Sequence, residues 1–127
     1  MIIQRKSDLQ GGPRDASDPG WRSLRMLTKT HGMGFSLNET WITAGASMTL
    51  EYKHHLEACY CISGRGVVTD LATGADHVIE AGTLYALDQN DRHTLRVTGD
   101  EDMLLISVFN PALTGDEVHG ADGSYSA

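Results

Sequence analysis

Apolar and polar residues alternate with a period of two along most of this chain, and short clusters containing glycine, asparagine or aspartate cut the alternation into brief runs. These runs predict β-strands over residues 24–29, 34–43, 47–53, 58–62, 66–70, 77–80, 83–87, 94–97 and 103–109. No stretch carries the period of a long amphipathic helix. The same alternation assigns faces. In 47–53, Met48, Leu50 and Tyr52 share one side while Ser47, Thr49, Glu51 and Lys53 share the other, so the apolar set points into the core. Tyr85 falls on the side of Thr83 and Leu87, and His93 on the side of Leu95 and Val97, with Asp88, Gln89, Asn90 and Asp91 as the turn between them. In the last run Met103, Leu105, Ser107 and Phe109 form one face, and Leu104, Ile106 and Val108 make the other face apolar as well. A strand apolar on both faces is covered on both, which predicts a homodimer involving this region.

Many short strands at regular spacing predict an all-β fold: one small domain of 127 residues built as a double-sheet jelly-roll barrel. Segments 11–20 and 110–127 hold all three prolines and few apolar residues. They are expected to form a loop near the entrance and, from about residue 112, a flexible C-terminal tail. With 40% hydrophobic residues the chain buries one core and not two. Ten basic against seventeen acidic residues give a formal charge of −7 with no basic cluster, which disfavours nucleic acid and anionic membranes and leaves a small organic ligand. The first residues reach charge by Arg5 and no later run approaches a membrane span, so a cytoplasmic location is expected. Cys59 and Cys61, two apart on one strand, make no disulfide framework and fit a reducing compartment. They read as small buried hydrophobes, with a cavity-lining role open for one of them.

Spacing adds candidate metal chemistry. Glu57 is followed by Gly64, and Gly74, Glu80, Gly82 and Tyr85 come at intervals that resemble the two-part metal-binding template of cupin barrels. Histidines fill most ligand positions of that template. Here glutamate stands in its proline slot and tyrosine in the histidine slot of the second half, while Leu50 and Tyr52 occupy the two histidine slots of the first. An ordinary three-histidine iron or manganese site is thereby excluded. Glu57 needs a bulge or turn at His54 and His55 to return inward. The inward groups left as metal ligands are Glu57, Tyr85 and His93. Carboxylate, phenolate and imidazole suit iron, and the carboxylate and imidazole also suit zinc or manganese. Burying an unpartnered carboxylate is costly, so Glu57 is the hardest of the three to read as packing.

Longer stretches resemble one cupin family over nearly the whole chain. They run from Trp21 to Arg25, from Gly32 to Thr40, from Tyr52 to Ala58 with Tyr60, Cys61 and Ile62, from Gly82 to Leu87, and from Asp91 to His93. Val108 to Pro111, Leu113, Thr114, Gly115, Glu117, His119 and Gly123 complete the set. In order and in register, these resemble ectoine synthase, a cyclodehydratase of compatible-solute biosynthesis. The resemblance implies ferrous iron (Fe2+) held by Glu57, Tyr85 and His93. It implies substrate contacts at Trp21, Arg25, Asn38, Thr40, Tyr52, Ser107, Phe109, Glu117 and His119, with Tyr52, Glu117 and His119 as the acid–base candidates. Departures are Ser107, where the family commonly has cysteine, and Glu80 in the proline slot.

The implied reaction is ring closure of N4-acetyl-L-2,4-diaminobutanoate to ectoine with loss of water. Arg25 is expected to hold the substrate carboxylate, with Trp21 and Phe109 enclosing its methylene chain. Among Glu117 and His119 the sequence does not choose the group that moves the proton. A diverged cupin acting on another small amino-acid derivative, a cupin oxygenase and a non-catalytic ligand-binding cupin are the alternatives.

Overall fold

The computed structural model describes residues 1–126. Ten strands make up most of it: β1 (Asp15–Asp18), β2 (Trp21–Leu27), β3 (Ser36–Ile42), β4 (Ser47–Leu50), β5 (Leu56–Ser63), β6 (Gly66–Asp70), β7 (Asp76–Ile79), β8 (Leu84–Leu87), β9 (His93–Val97) and β10 (Met103–Asn110). They form a six-stranded sheet in the order β1-β2-β3-β10-β5-β8 and a four-stranded sheet in the order β4-β9-β6-β7, with every pairing antiparallel. The period-two reading of faces holds in both. Along β10, Met103, Leu105, Ser107 and Phe109 are buried while Leu104, Ile106 and Val108 are half-buried on the opposite side. Along β9, His93, Leu95 and Val97 are buried.

The sheets face each other over two apolar clusters. One gathers Trp21, Ile42, Cys61, Val68, Ile79, Leu95, Val97, Met103 and Leu105, and the other Leu50, Tyr52, Leu87, Phe109, Leu113 and Tyr125. The β5–β6 turn crosses the start of β10 so closely that a Cβ on Gly64 would sit 2.7 Å from the Asp102 carbonyl oxygen, at a φ of +85°. Only glycine fits there, which gives the template glycine a steric reason. Among the described residues no helix is long and apolar enough to cross a membrane.

Three local differences from the sequence expectation have identifiable causes. Residues 11–20 were expected as loop but contain β1, an edge strand without apolar alternation that pairs with β2 and carries the Asp15–Arg22 ion pair at 2.6 Å. The run expected over 24–29 starts at Trp21 and stops at Leu27, because Thr28 opens a 3-10 turn (Lys29–His31) in which the Thr28 amide donates to His31 Nδ1 at 2.9 Å. The run expected to reach residue 53 ends at Leu50. Beyond it, the Asn90 side-chain amide donates to the carbonyls of Tyr52 and His55 at 2.8 and 3.1 Å and holds the bend that precedes Glu57. A helical turn at Lys6–Leu9 completes the elements.

Between residues 111 and 126 the chain is anchored to the barrel at several points. The Leu113 amide donates to Ser36 Oγ at 2.9 Å, its carbonyl accepts from the Lys29 amide at 2.7 Å, and Leu113, Ser124 and Tyr125 are buried.

Candidate active site

Strand register builds the site. Arg25 on β2 pairs with Asn38 on β3, Asn38 with Ser107 on β10, Ser107 with Cys59 on β5, and Cys59 with Tyr85 on β8. Residues paired across a sheet share a face, so these five polar side chains form one row along the inner wall. Glu57 lies two residues before Cys59 on the same face, beside Phe109. From the opposite sheet His93 projects inward, paired with Leu50. Between the walls is a cavity of about 30 Å3 lined by Trp21, Asn38, Thr40, Tyr52, Glu57, Cys59, Tyr85, Ser107, Phe109, His119 and Tyr125 among others.

Each candidate metal donor has its own local cause. His93 Nδ1 donates to the Asp91 carbonyl at 2.8 Å, which fixes the tautomer and leaves a lone pair on Nε2. That Nε2 is buried without a partner. Glu57 is buried with no basic group against it among the described residues, and burial, only partly offset by the Cys59 thiol, pushes its carboxyl up to about 8. Burial likewise raises the Tyr85 phenol. A cation between these groups would reverse all three penalties, supplying the orphaned imidazole nitrogen with a partner and holding carboxylate and phenolate ionised. Among the described residues no three His, Cys, Asp or Glu side chains converge so as to hold a metal by themselves. A three-donor centre on Glu57 and His93 would need the phenol of Tyr85 as its third group, and carboxylate, imidazole and phenolate together would suit a metal that accepts phenolate, as iron does.

The residues implied as substrate contacts divide into two groups. Trp21, Asn38, Thr40, Tyr52, Ser107, Phe109 and His119 line the cavity. Thr40 Oγ1 and Ser107 Oγ lie 3.3 Å apart, and Asn38 Oδ1 is a second buried acceptor without a partner. The Tyr52 hydroxyl and His119 Nε2 share a hydrogen bond of 2.8 Å, with the Trp21 ring edge-on to His119 at 5.2 Å. Burial and the positive field of Arg25 lower the His119 imidazole to about 4, so it is neutral at neutral pH, while burial raises the Tyr52 phenol and keeps it protonated.

Arg25 and Glu117 do not line the cavity. Arg25 is fully buried beside it and donates to Ser23 Oγ, the Gly115 carbonyl and the Glu117 carbonyl at 3.0, 2.9 and 2.7 Å. The Glu117 carboxylate accepts from the amides of Thr114 and Gly115 at 2.7 and 2.9 Å, which lower its pKa. In this arrangement Glu117 shapes the tail and offers no proton to the cavity.

Of two further residues of the wall, the sequence left one open and missed the other. Cys59 takes the cavity-lining role left open for one cysteine, with its thiol 3.6 Å from Ser107 Oγ and among Glu57 and Tyr85. The pairing of Cys59 with both Ser107 and Tyr85 was available once strand order was known. Tyr125 enters from the tail, and no periodicity marks it.

A family model described as ectoine synthase matches residues 1–127. This chain belongs to the ectoine synthase family. Members of the ectoine synthase family elsewhere share about half its residues. A Desulfosudis oleivorans protein named L-ectoine synthase is 51% identical over 98% of this chain and 96% of its own length. One from Hyphomonas neptunium is 50% identical over 90% of this chain and 84% of its own. The crystal structure of ectoine synthase from P. lautus superposes with a TM-score of 0.85 at 40% identity, covering 91% of this chain and 81% of that one. A cupin 2 conserved barrel protein from Salinispora arenicola, at 22% identity and a TM-score of 0.68, shares the fold alone. The jelly-roll barrel expected from the sequence is thus a cupin barrel of the ectoine synthase family.

Proposed function

We propose that this chain is an L-ectoine synthase that closes N4-acetyl-L-2,4-diaminobutanoate into the cyclic amidine ectoine with loss of water, assisted by ferrous iron at Glu57, Tyr85 and His93. Family membership supports the reaction. The observation that carries the metal is the tautomer-fixed Nε2 of His93, buried without a partner among the described residues on the inner face of one sheet, while the other sheet buries the Glu57 carboxyl and the Tyr85 phenol. When bound, the ion supplies Lewis acidity to the acetamide carbonyl with no change of oxidation state.

The chain's own residues do the rest. Ring closure forms a bond between the α-amine nitrogen and the acetyl carbon, and the amide oxygen leaves as water carrying the two protons of the amine. Neutral His119 accepts one of these, and the Tyr52 hydroxyl bonded to it completes a path for returning it to the departing oxygen. Asn38 Oδ1, unpartnered in the wall, accepts from the substrate amine and turns it toward the carbonyl. Arg25, with no carboxylate within ion-pair distance among the described residues, supplies the positive field for the substrate carboxylate. Trp21 and Phe109 enclose the methylene chain and exclude water. Iron-loaded protein given N4-acetyl-L-2,4-diaminobutanoate should yield ectoine on chromatography, and no product above the uncatalysed background would refute the assignment.

The outer face of the six-stranded sheet supports a homodimer. Tyr60, Ile62 and Leu84 there are 44%, 44% and 61% exposed, next to the half-buried Leu104, Ile106 and Val108. A contiguous apolar sheet face of this kind is characteristic of subunit contacts. Light scattering should give twice the 13.8 kDa chain mass, and Leu84→Lys should lower it toward one. Two free buried cysteines accord with a reducing, cytoplasmic location.

A further inference from the structure

The last turn of the tail is built to deliver one aromatic ring. The Gly123 amide donates to the Gly120 carbonyl at 3.0 Å, the Gly120 amide to the Ser124 carbonyl at 2.8 Å, and the Ser124 hydroxyl to Asp122 at 2.7 Å. Gly123 sits at a φ of +77°, and a Cβ there would lie 2.6 Å from the Thr49 carbonyl oxygen. Its own carbonyl accepts from the Glu51 amide at 3.1 Å. These contacts fix the turn to the end of β4 and send Tyr125 back into the barrel, where its side chain is 4% exposed. Its ring stacks on the His119 imidazole with centroids 4.7 Å apart and planes within 7° of parallel. The same ring meets Tyr52 at 5.1 Å and Phe109 at 5.5 Å, and its hydroxyl interacts with Tyr52 and Arg25.

Stacking fixes the plane of an imidazole, and that plane decides which way its nitrogens point. Trp21 stands edge-on to His119 and Tyr52 is tilted to it, and among the described residues only Tyr125 lies flat against the ring. We infer that Tyr125 is a positioning residue for ring closure: its face holds the His119 imidazole in the plane that brings Nε2 to the Tyr52 hydroxyl. The inference rests on His119 and Tyr52 moving the proton, as proposed above. It asks for an aromatic face at this position and not for the phenol oxygen.

Three variants separate the parts. Tyr125→Phe keeps the face, Tyr125→Leu keeps apolar bulk without it, and Gly123→Ala strains the turn that delivers the ring without changing the ring. With iron-loaded enzyme, Tyr125→Phe should stay within about threefold of the parent, whereas Tyr125→Leu and Gly123→Ala should each lose about tenfold or more in kcat, with a smaller change in KM. Leucine performing as well as phenylalanine would overturn the inference. So would equal losses for leucine and phenylalanine, a loss confined to KM, or a gain in kcat/KM in the leucine variant, the sign of a ring that merely fills the substrate's space.

A second readout needs no turnover. The hydrogen bond between His119 Nε2 and the Tyr52 hydroxyl, followed by the 15N shifts of the imidazole in NMR, reports the ring plane directly. It should be kept in Tyr125→Phe and lost in Tyr125→Leu. An unchanged hydrogen bond in the leucine variant would refute the positioning role. If the parent makes no ectoine but the leucine variant loses this hydrogen bond, the failure lies in the assigned reaction and not in the stacking.

Discussion

The two walls of the barrel differ in what they face inward. The six-stranded sheet carries a polar row from Arg25 through Asn38, Ser107 and Cys59 to Tyr85, with Glu57 beside it. The four-stranded sheet buries Leu50, Val68, Ile79, Leu95 and Val97 with the His93 imidazole among them, and carries the less buried Asp70 and His77 on the same face. The buried apolar part of that wall cannot solvate the groups around it, so burial raises the Glu57 carboxyl and the Tyr85 phenol, and among the described residues His93 Nε2 has no partner. One wall holds the chemistry, and the other makes that chemistry costly to leave uncompensated. The cation proposed above, in contact with both walls, would relieve that cost.

The sharpest way to break this comparison is to remove a donor from either wall. Glu57→Ala and His93→Ala should each strip the metal and lower turnover by about 10³ or more, the equivalent of the several kcal/mol a Lewis acid supplies. Elemental analysis alongside turnover checks it, and metal-free yet fully active protein would contradict it. The next effect belongs to neither wall. His119→Ala on the tail should leave a folded, metal-binding barrel whose turnover is down by about 10², the scale of losing a positioned proton-transfer group.

Leu95→Ala tests the apolar wall as backing. It should cost about 2–5 kcal/mol of stability in urea melts through cavity formation, while the iron-loaded enzyme keeps its turnover within about threefold at 25 °C. The smallest effect is in pH. The folded pKa of His119, about 4, lies below its ordinary 6.5, so the unfolded chain binds the proton first on acidification. Its contribution to stability is full above pH 6.5 and is lost as pH falls toward 4. The parent should therefore lose more stability than His119→Asn across that window.

Alternation made the barrel legible, because a strand with one face on the core repeats every second residue and β9 and β10 do so cleanly. Inward placement of Tyr85 and His93 followed from the same rule. What alternation does not encode is which strands are neighbours, so the row from Arg25 to Tyr85 and the place of Cys59 in it emerged only with the sheet order. β1 was invisible because an edge strand held by Asp15 and Arg22 needs no apolar face. The bend before Glu57 was expected, but its cause, Asn90 reaching from a distant turn, was not readable from spacing. Glu117 shows the opposite limit: family resemblance gave it an acid–base role, whereas its carboxylate is spent on the amides two and three residues before it.

The central claim is that the two walls together hold a metal that polarises an amide without redox chemistry. An anaerobic reaction of iron-loaded enzyme with N4-acetyl-L-2,4-diaminobutanoate, followed by chromatography, tests it most directly. The account predicts ectoine forming at the same rate with and without oxygen and disappearing with Glu57→Ala. Turnover that requires oxygen, or that survives loss of the Glu57 carboxylate, would contradict it.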